Sequence, residues 1–155
     1  MSGASHIAAD GSVRMVDVGG KTPSQRVARA EGWVRLLPAH REALSNLPKG
    51  DALTTAEIAG IQGGKRCSEL VPLCHNVPLS HLAVQVRLED GGLHVTAEAL
   101  TTAPTGVEME AYTAVVVAAV TLIDMLKGVD PDLTIDGVRL VEKSGGKSPW
   151  RRSAS

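Results

Sequence analysis

SHLAVQVRLEDGGLHVTAEALTT, residues 80–102, carries the clearest structural signal in the chain. Apolar and polar residues alternate over residues 80–88 and again over residues 93–102, as expected of strands with one buried face. Asp90, Gly91 and Gly92 lie between the two runs, and glycines readily adopt the positive φ angles of a tight turn. The stretch therefore predicts an antiparallel β-hairpin.

Helical patterns flank this hairpin on both sides. Residues 54–57, TTAE, match a capping box and predict a helix start, with Ile58 and Ile61 facing the core. A second box, TGVE, opens the longest predicted helix at residues 105–127, which Gly128 closes as a left-handed terminator. This helix is apolar almost all round, which predicts burial by its own sheet on one side and by another subunit on the other.

Further strands are predicted outside these helices. Residues 26–36 and 133–141 form the stronger patterns, residues 13–18 form a weak one, and Pro38 begins a short helix between them. Strands and helices thus interleave irregularly and include an antiparallel hairpin. The predicted fold class is α+β, an antiparallel sheet with helices packed on one face.

Length and composition narrow the class of protein. The 155 residues predict a single domain, residues 1–155, with residues 1–12 and 149–155 expected to be flexible. A formal charge of -1 and only three aromatic residues argue against a nucleic-acid-binding or membrane-binding surface. The polar amino terminus lacks an apolar signal core, and the longest apolar run, residues 114–120, is too short to span a bilayer. We therefore expect a cytoplasmic protein.

The segment before and into the hairpin, residues 63–82, mixes charged, thiol and imidazole side chains with apolar ones. Pro72 and Pro78 lack amide donors and restrict the residues that precede them, which predicts a rigid, non-helical crossing. Cys74 and His75 would lie where this crossing reaches the surface. A binding site can form there.

The thiols and imidazoles of this segment allow other interpretations. Four residues are of the types that bind zinc: Cys67, Cys74, His75 and His81. Their spacing fits no standard zinc pattern and a buried cysteine is more often simple packing, so we expect no metal and no cofactor. A thiol nucleophile activated by His75 is a further alternative, although adjacent side chains rarely orient toward each other. Substrate contact by His75 is the favoured interpretation.

Glycine-bearing segments hold five of the lysines: Lys49, Lys65, Lys127, Lys143 and Lys147. Any one of them alone would be interpreted as a solvated surface residue. The repeated pairing of glycine with lysine favours a shared anion site, because backbone amides and ammonium groups together bind phosphate. The spacing of a P-loop is absent.

Four polar residues interrupt the long apolar helix: Glu108, Glu110, Asp124 and Lys127. Glu108 can be explained by the helix dipole at a helix start, whereas Glu110 is less easily explained in this way. Asp124 and Lys127, three residues apart, could form an ordinary surface ion pair that stabilises little. They could instead tune each other's pKa and act as a general acid and base.

Several motifs closely resemble the MoaC family: KRCSELVPLCH at residues 65–75, TGVEMEAYTAVVVAAVTLIDMLK at 105–127, EKSGGKS at 142–148 and RMVDV at 14–18. The resemblance extends from about His6 to Trp150. It implies a ferredoxin-like α+β subunit in a homohexamer, a trimer of dimers, with the active site at a dimer interface. It also implies a lyase of molybdenum cofactor biosynthesis that converts 3',8-cyclo-7,8-dihydroguanosine 5'-triphosphate to cyclic pyranopterin monophosphate and pyrophosphate.

The resemblance implies site residues as well. Asp124 matches the active-site aspartate of the family, and Lys127 matches its catalytic neighbour. Four further charged positions match residues that line the catalytic pocket, where the lysines would bind the triphosphate: Lys49, Lys65, Glu108 and Lys143. Five positions match substrate-binding residues: Leu73, Cys74, His75, Met109 and Glu110. Because Glu110 and Asp124 are fourteen residues apart, about 21 Å along one helix, a site that uses both would need two subunits.

A non-catalytic, phosphate-binding oligomer is the competing interpretation of the same lysines. Asp124 discriminates between the two, because a carboxylate repels phosphate and mere anion binding has no need of it. Its presence next to Lys127 favours catalysis.

Overall fold

The structure, a computed structural model that describes residues 6–154, is built on a five-stranded antiparallel sheet. Its elements in chain order are β1 (Ser24–Arg35), α1 (Pro38–Ala43), α2 (Ala52–Lys65), α3 (Cys67–Leu70), β2 (Leu79–Glu89), β3 (Gly92–Ala103), α4 (Glu108–Leu126), β4 (Thr134–Ser144) and β5 (Trp150–Arg151). The strand order is β2-β3-β1-β4-β5. Without the short β5 and the short helices, this is the β-α-β-β-α-β arrangement of the ferredoxin-like fold, and the predicted class is confirmed.

The predicted β2–β3 hairpin is confirmed. Leu88 lies opposite Leu93, and Glu89 lies opposite Gly92. Gly92 has a φ of 125°, and a side chain there would collide with the carbonyl oxygen of Val34 on β1. The turn therefore requires glycine both for its backbone conformation and for the close approach of the neighbouring strand.

The two long helices, α2 and α4, pack against each other and against the same face of the sheet. Glycines of α2 permit this close packing: a Cβ at Gly60 would lie 2.8 Å from the carbonyl oxygen of Ala114, and one at Gly63 would lie 2.6 Å from Val117. Leu93, Leu122 and the other fully buried side chains fill the space beneath. The glycines that weaken α2 as an isolated helix are those that let α4 approach it.

The predicted N-cap of α2, Thr54, is wrong by three residues. The helix begins at Ala52, and the carboxylate of Asp51 caps it by accepting a hydrogen bond from the Thr54 amide at 3.1 Å. Asp51 is a better cap than threonine, and Glu57, the supposed second half of the box, accepts a hydrogen bond from the Val86 amide of β2 instead. Ile58, predicted to face the core, is 54% exposed.

The predicted start of α4 is also wrong, and the left-handed glycine terminator predicted at its end does not form. The helix begins at Glu108, and its N-cap residue, Val107, makes no side-chain capping bond. The carboxylate of Glu108 pairs with Lys143 of β4 rather than with the backbone, so the TGVE box does not form. At the other end, Gly128 is not among the residues with positive φ, and Lys127 ends the helix in a right-handed conformation.

The strand predicted at residues 13–18 does not form. Val13 makes a single bridge with Ile7, and the chain then crosses toward the helices as irregular structure. At this edge of the sheet, β5 pairs with β4, and Trp150 lies opposite Lys143. Of the amino-terminal segment that was predicted to be flexible, residues 1–5 lie outside the described part of the chain.

One face of α4 is buried as predicted, whereas apolar residues remain on the other. Ala111, Ala114 and Ala118 are fully buried, but Val116 and Val120, four residues apart and therefore on one side of the helix, are 40% and 54% exposed. By length and composition alone α4 could cross a membrane. Half of its most apolar stretch, however, is buried inside the protein. Core helices of globular proteins have the same character.

Candidate active site

A cleft of about 680 Å³ opens at the amino-terminal end of α4. We call it the basic cleft, because four cations and one carboxylate among residues 6–154 line it: Lys21, Arg26, Lys143 and Lys147 against Glu108. Lys143 Nζ lies 3.2 Å from Glu108 Oε1. The floor turns at Gly145 and Gly146, whose φ angles are 83° and 68°. Such a surface of ammonium groups, hydroxyls and glycine backbone suits a polyanion.

A second pocket of about 340 Å³ adjoins the basic cleft, and we call it the thiol pocket. It gathers all five of the residues predicted to bind substrate: Leu73, Cys74, His75, Met109 and Glu110. The two cavities share Lys21, Thr105, Gly106 and Glu108, so one elongated ligand can occupy both.

The imidazole of His75 is fixed by the amino-terminal segment. Its Nε2 atom lies 2.6 Å from the carbonyl oxygen of Val16, and His6, Val16 and Val18 form part of the pocket wall. The irregular chain that replaces the predicted strand thus covers the thiol pocket and orients one of its polar groups. The neighbouring thiol of Cys74 bonds the His75 carbonyl oxygen and Glu110 Oε1 and, among residues 6–154, makes no hydrogen bond with the imidazole of His75.

Glu110 is the most deeply buried charged residue of the site, with 4% of its surface exposed. Its Oε1 atom lies 3.7 Å from Cys74 Sγ, and its Oε2 atom has no hydrogen-bond partner among residues 6–154. Burial raises the pKa of this carboxyl group, and the neighbouring charge of Glu108 acts in the same direction. Glu110 therefore carries an unused oxygen that a ligand can engage.

The two cysteines lie close to each other and to Glu110. Their sulfur atoms lie 3.7 Å apart, and Cys67 also contacts the hydroxyl of Thr113 at 3.4 Å. Burial raises the pKa of both thiols, and for Cys74 burial together with the charge of Glu110 raises it to about 12. Since a nucleophilic cysteine needs a lowered pKa, these values argue against the thiol-nucleophile alternative.

A separate cluster lies at the opposite end of α4. Asp124 Oδ1 lies 2.7 Å from Lys127 Nζ, and Asp124 Oδ2 lies 3.0 Å from Lys49 Nζ, which also bonds the Asp124 carbonyl oxygen at 2.8 Å. Hydrogen bonds from Lys127 and then Lys49 lower the pKa of Asp124, so it stays ionised. About half of each of these three side chains is exposed. We call this group the Lys–Asp–Lys cluster.

The five lysines predicted to share one anion site do not meet within one chain. Lys143 and Lys147 line the basic cleft, whereas Lys49 and Lys127 flank Asp124 about 21 Å farther along α4. Lys65 ends α2 and lies in a third hollow on the surface beside His81 and Val77. Within residues 6–154 these lysines therefore lie in three separate places.

Two basic residues of the cleft were missed in the sequence. Lys21 follows Gly19 and Gly20, so the Gly–Lys signal used for the other lysines was present there as well. Arg26 lies in β1, where its guanidinium group donates to Ser24 Oγ at 2.9 Å and to the Pro104 carbonyl oxygen at 3.4 Å. No local pattern marks Arg26, because only the fold brings β1 next to the loop before α4.

The chain matches proteins of known name along most of its length. Cyclic pyranopterin monophosphate synthase of Deinococcus radiodurans is 53% identical over 140 residues, 89% of this chain and 83% of that protein. The proteins of the same name from Oleidesulfovibrio alaskensis and Streptomyces coelicolor are 51% and 50% identical, covering 95% and 96% of this chain and 95% and 89% of their own. The profile of the MoaC family matches residues 15–146. The chain therefore belongs to the MoaC family.

Proposed function

We propose that this chain is a cyclic pyranopterin monophosphate synthase of molybdenum cofactor biosynthesis. It converts 3',8-cyclo-7,8-dihydroguanosine 5'-triphosphate, which is derived from GTP, to cyclic pyranopterin monophosphate with release of pyrophosphate. The reaction takes place in the cytoplasm. Relatives of that name, about 50% identical over nearly the whole chain, support the assignment. The observation that carries it is Asp124 held between Lys49 and Lys127, because a carboxylate repels phosphate and a site that only binds anions has no need of it.

The two adjoining cavities divide the substrate between them. The triphosphate occupies the basic cleft, where Lys21, Lys143 and Lys147 offset its negative charge. The ring system occupies the thiol pocket, between the apolar side chains of Leu73 and Met109 and the polar groups around Glu110. Glu108 lies at the junction of the two cavities and positions Lys143 through their ion pair.

The complete active site forms between two protomers. One contributes the basic cleft and thiol pocket, and the other contributes its Lys–Asp–Lys cluster, because these groups lie too far apart on α4 to act on one substrate within a chain. The exposed apolar side chains of Val116 and Val120 support contact between protomers along this helix. The assembly proposed is a homohexamer, a trimer of dimers.

Asp124 and Lys127 form the proton-transfer pair of this site. In one protomer both are half exposed and Asp124 is ionised, since the two lysines lower its pKa. Covering by the second protomer and the substrate removes water, which disfavours charged groups and raises the proton affinity of the carboxylate. Lys49 and Lys127 stabilise the negative charge that develops when a substrate oxygen attacks the α-phosphorus and pyrophosphate departs.

The direct test is incubation with the cyclised dihydro-GTP. Equal amounts of pyrophosphate and cyclic pyranopterin monophosphate should accumulate, the first measured by a coupled enzymatic assay and the second by mass spectrometry. Tight binding of the substrate without either product would contradict the proposal. It would favour a non-catalytic nucleotide-binding oligomer instead.

The basic cleft makes a separate prediction about affinity. Lys21→Ala and Lys147→Ala should each weaken binding of a non-hydrolysable nucleoside triphosphate roughly ten- to hundredfold, the loss expected for one hydrogen bond between charged groups. Isothermal titration calorimetry measures the dissociation constants. Arg87→Ala is the matched control, since Arg87 lies exposed on β2 beside Gln85 and outside both cavities. If all three variants and the unaltered protein bind the nucleotide equally well, the triphosphate does not bind in this cleft.

A further inference from the structure

Three side chains of metal-binding type converge at the base of the thiol pocket from three different parts of the fold. Cys67 begins α3, Cys74 lies in the crossing between α3 and β2, and Glu110 lies in the first turn of α4. One ligand atom from each lies within 4.8 Å of the other two. The separations along the chain, seven residues and then thirty-six, are not those of a standard zinc motif, which is why the sequence did not predict a metal site.

The distances within this group suit tetrahedral coordination. With metal–sulfur bonds of about 2.3 Å and metal–oxygen bonds of about 2.1 Å, two sulfur ligands lie about 3.8 Å apart, and a sulfur and an oxygen ligand lie about 3.6 Å apart. The two sulfur atoms are 3.7 Å apart, and Cys74 Sγ is 3.7 Å from Glu110 Oε1. Two of the three separations thus already match tetrahedral coordination, and the third, between Cys67 and Glu110, is within 4.8 Å.

An independent feature points to a ligand at this place. Glu110 is 4% exposed, and its Oε2 atom is a buried side-chain oxygen without a hydrogen-bond partner within residues 6–154. Native proteins rarely leave a buried polar atom unsatisfied, and such an atom calls for a missing partner. A cation bound by the carboxylate supplies that partner.

We propose that Cys67, Cys74 and Glu110 form a site for one thiophilic divalent cation, with Zn²⁺ the best match to two sulfur ligands and one oxygen ligand. Binding converts the two thiols to thiolates with release of their two protons, and Glu110 binds as the carboxylate. The resulting site carries a net charge of -1, and Lys21 in the wall of the same pocket partly offsets it.

The fourth coordination position faces the substrate cavity. Cys74 and Glu110 line the thiol pocket, whereas Cys67 is 1% exposed and closes the site from behind. Three protein ligands with one open position are typical of zinc sites that bind a water molecule or a ligand atom, in contrast to closed structural sites with four protein ligands. The cation would thus meet the ring system proposed to occupy this pocket, a placement that rests on the proposed function.

Metal binding can be tested without substrate. The reduced, metal-free protein is titrated with Co²⁺, which should give one equivalent bound per chain and the near-ultraviolet charge-transfer absorption of cobalt–thiolate bonds. Zn²⁺ should abolish this spectrum by displacement, and competition with a chromophoric chelator then gives the zinc dissociation constant. Because no substrate is present, failure here leaves the proposed function intact, and failure of turnover leaves the metal site intact.

Variants assign the ligands. Cys67→Ser, Cys74→Ser and Glu110→Gln should each weaken zinc binding by more than about 100-fold, beyond the cost of losing an outer-shell partner. Glu108→Gln is the matched control, since this carboxylate lies two residues away and pairs with Lys143 instead, and its affinity should stay within about threefold.

One measurement does not depend on whether the variants fold. In the unaltered protein, Zn²⁺ should protect Cys74, which lines the thiol pocket, from alkylation by iodoacetamide, counted by mass spectrometry. Absence of the thiolate absorption at saturating Co²⁺, a Cys74 thiol that zinc leaves unprotected, or unchanged affinity in a folded Cys67→Ser protein would each overturn the site.

Discussion

Asp124→Asn should fold normally, bind the triphosphate and lose turnover by about 10²- to 10⁴-fold, the usual contribution of a general acid–base group. Asparagine keeps the shape of the side chain and one acceptor oxygen for the lysines, but it cannot take up a proton. Removing the negative charge also frees Lys49 and Lys127 from their ion pairs. Affinity for a triphosphate analogue should therefore be unchanged or higher, and this result separates loss of chemistry from loss of binding.

Pyrophosphate release under saturating substrate measures the effect. Asp132→Asn is the matched control, since Asp132 is an exposed aspartate of the loop after α4 and lies outside the Lys–Asp–Lys cluster. Its turnover should equal that of the unaltered protein. Pyrophosphate release by Asp124→Asn within a few fold of normal would refute the assigned role, as would a loss explained entirely by weaker substrate binding.

Activity should reappear when two inactive proteins, Glu110→Ala and Asp124→Asn, are mixed under conditions that exchange subunits. In a mixed dimer, one of the two sites combines the intact Glu110 of one chain with the intact Asp124 of the other, whereas the second site carries both substitutions. Random exchange of equal amounts should restore about one quarter of the normal activity per site, because half of the dimers are mixed and half of their sites are intact. The recovery is measured as pyrophosphate release after exchange.

The control mixture pairs Glu110→Ala with Lys143→Ala. Both residues belong to the cavities at the amino-terminal end of α4, so each chain carries one defect in the same half of the site. No exchange of subunits can then assemble an intact site, and activity should stay absent. Recovery in this control, no recovery in the test mixture despite exchange seen by native mass spectrometry, or a fully active monomer would each refute the shared site.

The fold class could be predicted from local sequence patterns because those patterns agree with one another. The alternation in residues 80–102 and the glycines of its turn specify one hairpin in one register, since a slip by one residue would turn its apolar face to solvent. The motifs that resemble the MoaC family likewise need no coordinates, because they are stretches of contiguous residues.

Helix ends were the weakest predictions, because several residues compete for each cap. Asp51 replaces Thr54 as the cap of α2, and Glu57 bonds a strand of the sheet that local sequence cannot locate. Glu108 is drawn away from the backbone by Lys143, thirty-five residues farther along the chain. A residue that has a partner elsewhere in the fold bonds that partner rather than the helix end. Local propensity determines the cap only where no such partner is near.

The sequence predicted which residues belong to the candidate site. The fold determines how these residues are distributed between the two ends of α4. Helical rise alone separates Glu110 from Asp124 by about 21 Å, yet that Lys49 joins Asp124 depends on the packing of the loop before α2 against the end of α4. The same holds for Cys67 in α3 and Cys74 in the proline-bounded crossing, which meet Glu110 because both segments pack beside α4. Sequence shows which groups the chain carries, and only the packing of distant segments determines which of them share one cavity.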